Sequence, residues 1–128
     1  MSINILKVKA EENFKTGEWA EKKEYFDVAV SRYYYCAYEK IIYISKTREF
    51  YKDYSRESGS HFKTINEFNK NLKDKLTGEE KVALSKLKKL RKLRNNADYK
   101  EVKLLQNDYY LDFKYPFNDI NNILNKLI

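Results

Sequence analysis

Turn-forming residues are scarce: the chain has three glycines and one proline in 128 residues. An all-β fold needs many tight turns, so this scarcity excludes it and favours long helices. Cysteine is almost missing as well. Cys36 stands alone in an aromatic run, so no disulfide can form within the chain, which fits a reducing, cytoplasmic setting. No neighbour in sequence would lower its pKa, so it reads as a buried structural thiol rather than a nucleophile. No apolar run approaches the ~20 residues that span a bilayer. The opening MSINILKVKAEEN also lacks the apolar centre of a signal peptide, so no membrane association is expected. With a single histidine and a single cysteine there is no cluster for zinc. Glycine-rich phosphate loops and nucleophile elbows are missing too, so neither a metal nor a cofactor is expected.

What the chain does have is charge and aromatic mass. Hydrophobic residues make up 42% and charged residues 35%, a globular rather than a disordered composition. Twelve tyrosines and seven phenylalanines announce an aromatic interior. The length suits one domain, residues 1–128, which at this size buries roughly two thirds of its unfolded surface and needs no metal or disulfide. The net charge of +7 favours a polyanionic partner.

Apolar periodicity predicts five helical segments. Residues 2–14 carry Ile3, Leu6 and Ala10 on one face, and Thr16-Gly17 reads as a break with Thr16 capping the next helix. Residues 18–47 carry Phe26, Val30, Tyr33, Tyr34, Ala37, Ile41 and Ile44 at spacings of three and four. Tyr35, Cys36, Tyr38, Ile42 and Tyr43 cover the other faces. A helix apolar nearly all round is buried on several sides, and a subunit interface would be one way to cover it. Residues 48–60 read as a polar loop. A third helix over 61–76 follows the Ser60 cap, with Phe62, Ile65, Phe68, Leu72 and Leu76 on its core stripe. Thr77 and Glu80 form a capping box that opens a fourth helix over 78–95, with Leu84, Leu87, Leu90 and Leu93 facing the core. Asn95-Asn96 is its expected stop, and Asp98 could cap a short helix from Tyr99. A last helix starts at Pro116 and buries Phe117, Ile120, Leu124 and Leu127. The expected architecture is all-α, an up-and-down bundle of about five helices.

The positive charge is local. Lys81, Lys86, Lys88, Lys89, Arg91, Lys92 and Arg94 all fall on the fourth helix. Residues 86–100 hold seven cations against one acid, Asp98, a net +6. Such a patch can hold several phosphates through charge-assisted contacts. The cluster Arg94-Asn95-Asn96-Ala97-Asp98-Tyr99 follows directly, and an arginine there suits bidentate phosphate binding. Lys88, Lys89, Arg91, Lys92 and Asn95 are the candidate nucleic-acid contacts.

Two segments resemble the HEPN superfamily. AVSRYYYCAY (residues 29–38) looks like the family's A-x-S-R-x-Y-Y-A-x-F helix. LRNNADY (residues 93–99) looks like the L-R-x-x-A-D-Y signature of small stand-alone members, and His61 falls where that branch often has a histidine. The resemblance covers nearly the whole chain. It implies a helical bundle that dimerises and, in many members, a metal-independent endoribonuclease of toxin–antitoxin or antiviral defence systems, some paired with a nucleotidyltransferase. Catalytic members place a histidine four to six residues after the arginine. Here Tyr99 stands at that position. A tyrosine with a pKa of about 10 is a poor base at neutral pH.

Arg94, Tyr99 and His61 are therefore the catalytic candidates. His61 would replace the missing histidine if the third helix begins beside the end of the fourth. Arg32, Tyr34 and Asp98 are expected to orient the site, with Arg32 pairing an acid such as Asp98. Two function classes follow. One is a dimeric RNA-binding protein or ribonuclease. The other is a non-catalytic interaction module that holds a partner such as a nucleotidyltransferase, for which Tyr99 could serve as a modification acceptor.

Overall fold

Helix α2 (Phe26–Thr47) is apolar around nearly its whole girth, and the chain wraps it accordingly. A computed structural model describes residues 3–99 and 104–128, with Tyr99 represented by its backbone alone. Ala29, Val30, Tyr33, Tyr34, Cys36, Ala37, Ile41 and Ile44 of α2 are all fully buried. Four other helices, α1 (Ile3–Lys22), α3 (Ser60–Leu72), α5 (Leu87–Tyr99) and α7 (Tyr115–Leu127), lie against it. The apolar girth of α2 is thus covered within one chain and no longer argues for a second copy. Among the described residues there is no strand, and the fold is an all-α bundle.

Helix α1 runs straight through Thr16-Gly17, where the sequence pattern suggested a break. Thr16 caps nothing; its hydroxyl donates to the Glu12 carbonyl of its own helix. Gly17 is buried, and a Cβ built there would stand 2.8 Å from two ring carbons of Tyr33. The glycine lets α1 and α2 approach closely around that ring. The true break is at residues 23–25. Glu24 has φ 60°. The Tyr25 N–H reaches the Ala20 carbonyl at 2.8 Å, and the Glu24 N–H reaches Glu21 at 3.0 Å. This is a Schellman stop with glutamate in the left-handed position that glycine usually takes. Helix α2 ends in the same way at Glu49, with φ 63° and the Phe50 N–H on the Ser45 carbonyl. In both stops an aromatic residue follows: Tyr25 meets Trp19 edge-on, and Phe50 packs on the core beside Phe68.

Gly59, left-handed at φ 70°, takes the N-cap of α3 instead of Ser60. A 3-10 turn (Lys73–Lys75) ends that rod. The Thr77–Glu80 capping box then opens α4 (Gly78–Ser85), its two reciprocal hydrogen bonds being 2.9 and 3.1 Å. The expected single helix over 78–95 is bent at Lys86, where α4 gives way to α5. Asn95-Asn96 does not stop α5, and Asp98 lies inside the helix rather than capping another. Ala97 packs against the core, and Arg94 pairs with Asp98 one turn on, so the helix gains by continuing.

The last rod begins before Pro116. A short α6 (Gln106–Asp108) passes through a π-helical stretch (Tyr109–Lys114) into α7 without a break. Proline cannot donate to the carbonyl four residues back, and the wider spacing just ahead of it absorbs that missing bond.

Contacts order the rods. Asn13 meets Glu39 and Lys7 meets Tyr43, so α1 is antiparallel to α2. Tyr33 meets Lys114 and Arg48 meets Leu127, so α7 runs with α2. Among the described residues no helix is long and apolar enough to cross a membrane.

The Gly17 contact gives a sign test. Gly→Ala in an open helix stabilises by about 1 kcal/mol. At Gly17 the new methyl must displace a packed ring, which costs about 1–3 kcal/mol. Gly17→Ala should therefore lower unfolding stability in urea by about 1 kcal/mol, while Thr16→Ala at the exposed neighbour leaves it within about 0.5 kcal/mol. A stabilised Gly17→Ala chain would contradict the close approach.

Candidate nucleic-acid interface

Helix α5 divides its residues cleanly. Leu87 and Leu90 are buried and Leu93 and Ala97 are partly buried against α2, while Lys88, Lys89 and Lys92 project into solvent. Arg91 and Asn95 lie at the boundary, half-buried. These cations and Asn95 line one open groove of about 510 Å3, and Phe62 of α3 forms its apolar wall. The five residues singled out in the sequence as nucleic-acid contacts are thus brought to one surface.

Phe62 is not the core residue that the stripe suggested. The inward row of α3 is Thr64, Ile65, Phe68 and Leu72, with His61 one turn before Thr64 and Ile65. Phe62 falls beside that row and is 38% exposed. Its ring carries the Arg91 guanidinium at 5.0 Å and the Lys88 ammonium at 5.7 Å from its centroid.

A polar cluster built around buried Arg94 and Tyr34 lies on the same two helices and α2. The Arg94 side chain is 8% exposed. Its guanidinium lies over Tyr34 and Tyr35, at 5.5 and 5.1 Å, and donates to Asp98 at 3.1 Å. Tyr34 in turn shares a 2.9 Å hydrogen bond with His61 Nδ1. The His61 ring stacks flat on Tyr38, 4.0 Å between centroids. Arg94, His61, Tyr34 and Asp98 are therefore together, as the third and fourth segments' antiparallel placement suggested. Among the described residues the Nε atoms of Arg91 and Arg94 are buried without a hydrogen-bond partner.

One sequence expectation does not fit, and another is not tested. Arg32 does not reach Asp98. It donates to Asn13 at 3.3 Å and to Ser31 at 3.2 Å and lies over Tyr35, tying α2 to α1 instead. Asp98 already belongs to Arg94, one turn away on the same helix. The Tyr99 side chain lies outside the described residues. Tyr38, which supports His61, falls among the residues that the sequence pattern places on the other faces of α2. Its i, i+4 spacing from Tyr34 was the available signal for a shared face.

The electrostatics decide what the cluster can do. Burial, then the Arg91 and Arg94 charges, push the His61 pKa down to about 4. Burial pushes the Tyr34 hydroxyl well above the usual phenol range. At neutral pH the imidazole is uncharged and the phenol keeps its proton, so Tyr34 can donate to Nδ1. That tautomer puts the imidazole proton on Nε2, a donor suited to an anion. A base this weak takes little of a hydroxyl's proton at pH 7. Among the described residues no group of three His, Cys, Asp or Glu is placed to hold a metal ion. Comparison with protein-family models, with curated proteins and with solved structures finds no match for the chain.

The His61 shift predicts a pH dependence. Its folded pKa lies below the ordinary value of 6.5, so the unfolded chain takes up the proton first as pH falls. Its contribution to stability is complete above about pH 6.5 and is lost as pH falls toward 4. The urea midpoint of the wild type should drop across that window, and His61→Gln should flatten the drop. An equal drop in both would assign it to carboxylates.

Proposed function

We propose that the chain is an RNA-binding protein that grips the sugar–phosphate backbone along α5. The observation that carries this is the groove: Lys88, Lys89, Arg91 and Lys92 converge on one open surface with Asn95, and two buried arginine Nε donors nearby are unpartnered among the described residues. Clustered cations without interleaved acids are a footprint of phosphate binding. The resemblance to the HEPN superfamily supports the same reading. It further supports a homodimer acting in a toxin–antitoxin or defence module, with a nucleotidyltransferase as the partner class.

Salt dependence is the test. Four phosphate contacts give a slope of about −3 in log affinity against log salt for a single strand. Fluorescence anisotropy should find that slope for the wild type. Lys88→Ala with Lys92→Ala should cut it to roughly half. Affinity that ignores salt, or no binding at all, would overturn the proposal.

A second reading, metal-independent RNA cleavage, is favoured by one observation: Arg94, His61 and Tyr34 form a connected cluster. Arg94 would stabilise the charge on the phosphorane, and a bound phosphate would raise the His61 pKa toward usefulness. In EDTA, cleavage would leave 2′,3′-cyclic phosphate ends and disappear in His61→Ala. Intact RNA under tight binding would exclude it and leave the binding function standing.

A further inference from the structure

Phe62 stands apart from the packed core. A large aromatic ring, 38% exposed, is held at the wall of a groove otherwise lined by four cations and an asparagine. We propose that Phe62 is a base-stacking platform, which makes this groove selective for unpaired nucleotides over duplex. The proposal rests on the nucleic-acid reading above and adds the substrate's form to it.

The chemistry is that of single-strand recognition. Cations following a backbone, interleaved with an aromatic face, bind unpaired strands because every base has a π-face to offer. A duplex keeps its bases stacked inside and cannot present them. The ring is already prepared to receive a flat, polarisable group. Arg91, half-buried, lies 5.0 Å from the ring centroid, and its own planar guanidinium can also stack on a base. Lys88 lies further out, at 5.7 Å, on an exposed and flexible stem. Its ammonium can swing to a phosphate when a base takes its place over the ring. Lys89 and Lys92 stand on the same groove for the flanking phosphates, and Asn95 offers an amide that can both donate and accept at a base edge.

The ring is also not part of the core. Its neighbours Thr64, Ile65 and Phe68 fill the core side of α3, and Phe62 is absent from the buried cluster and from the side chains packed on it. Leucine at this position therefore keeps the fold.

The test compares Phe62→Leu and Phe62→Trp with the wild type, using a single-stranded RNA, a single-stranded DNA of the same sequence and the RNA duplex. Thermal melts confirm that each variant is folded. Phe62→Leu should lose about tenfold in affinity for both single strands, as loss of one stacked base does, while duplex affinity stays within about twofold. Phe62→Trp should restore or exceed wild-type binding to the single strands. A sugar preference between RNA and DNA would identify which strand the groove serves, and the tenfold loss on the preferred strand would still support the platform. Equal losses on single strand and duplex, or no loss on either, would overturn the platform while leaving backbone binding intact. No salt-sensitive binding to any of the three would overturn both.

Discussion

A helix enclosed by its own chain must satisfy every polar atom it carries inward, and α2 carries two buried phenols side by side. Tyr33 and Tyr34 are consecutive residues, about 100° apart around the helix. Tyr33 faces α1 and the last rod, where Lys114 at the end of the π-helical stretch donates to its hydroxyl at 2.9 Å. That ammonium also pairs with Glu21 at 3.1 Å, and Glu21 accepts the Tyr109 hydroxyl at 2.7 Å. Tyr34 faces α3 and α5 and meets His61. Unpaired, each hydroxyl would cost about 1–3 kcal/mol. The two demands pull a charged network into one side of the bundle and a histidine into the other. The rest of the packing is arranged around them.

The same demands commit His61 and Arg94 to packing contacts of their own. His61 serves the core through Nδ1 and stays neutral because it is half-buried beside two arginines. Arg94 is likewise shared: its face covers two tyrosines and its NH1 nitrogen holds Asp98, and its Nε has no partner among the described residues. Lys88, Lys89 and Lys92 are not buried in this way and sit on the solvent side of α5. The surface therefore separates a rigid floor, set by packing, from a mobile rim, set by charge.

How much of this the sequence disclosed depends on the kind of signal. The capping box at Thr77 was legible because its chemistry is local and its spacing fixed. The core stripe of α2 was legible because burial repeats with the helix period. The gathering of Lys88, Lys89, Arg91, Lys92 and Asn95 followed from a single helix face. The end of α1 was hidden because glutamate, not glycine, occupies the left-handed position at both Schellman stops, while the one conspicuous glycine serves a tertiary contact. Local propensity cannot separate a glycine that turns the chain from one that admits a neighbour's ring. Phe62 was misplaced for a related reason: it is one step around α3 from the true inward row, a difference that a short apolar run does not resolve. Arg32 was assigned to the wrong acid because the partner, Asn13, lies on another helix and is uncharged.

The meeting of Gly17 with the Tyr33 ring has an evolutionary reading. Neither position changes alone without a cost. A side chain gained at 17 crowds the ring at 33, and a smaller residue at 33 takes ring and hydroxyl away from the Lys114 ammonium, which now rests 4.0 Å from the ring centroid, and leaves it to Glu21. Position 114 is thereby joined to position 17 without touching it through any contact described above. Homologous chains should change these three sites as a set: glycine, tyrosine and lysine together, or a different trio altogether.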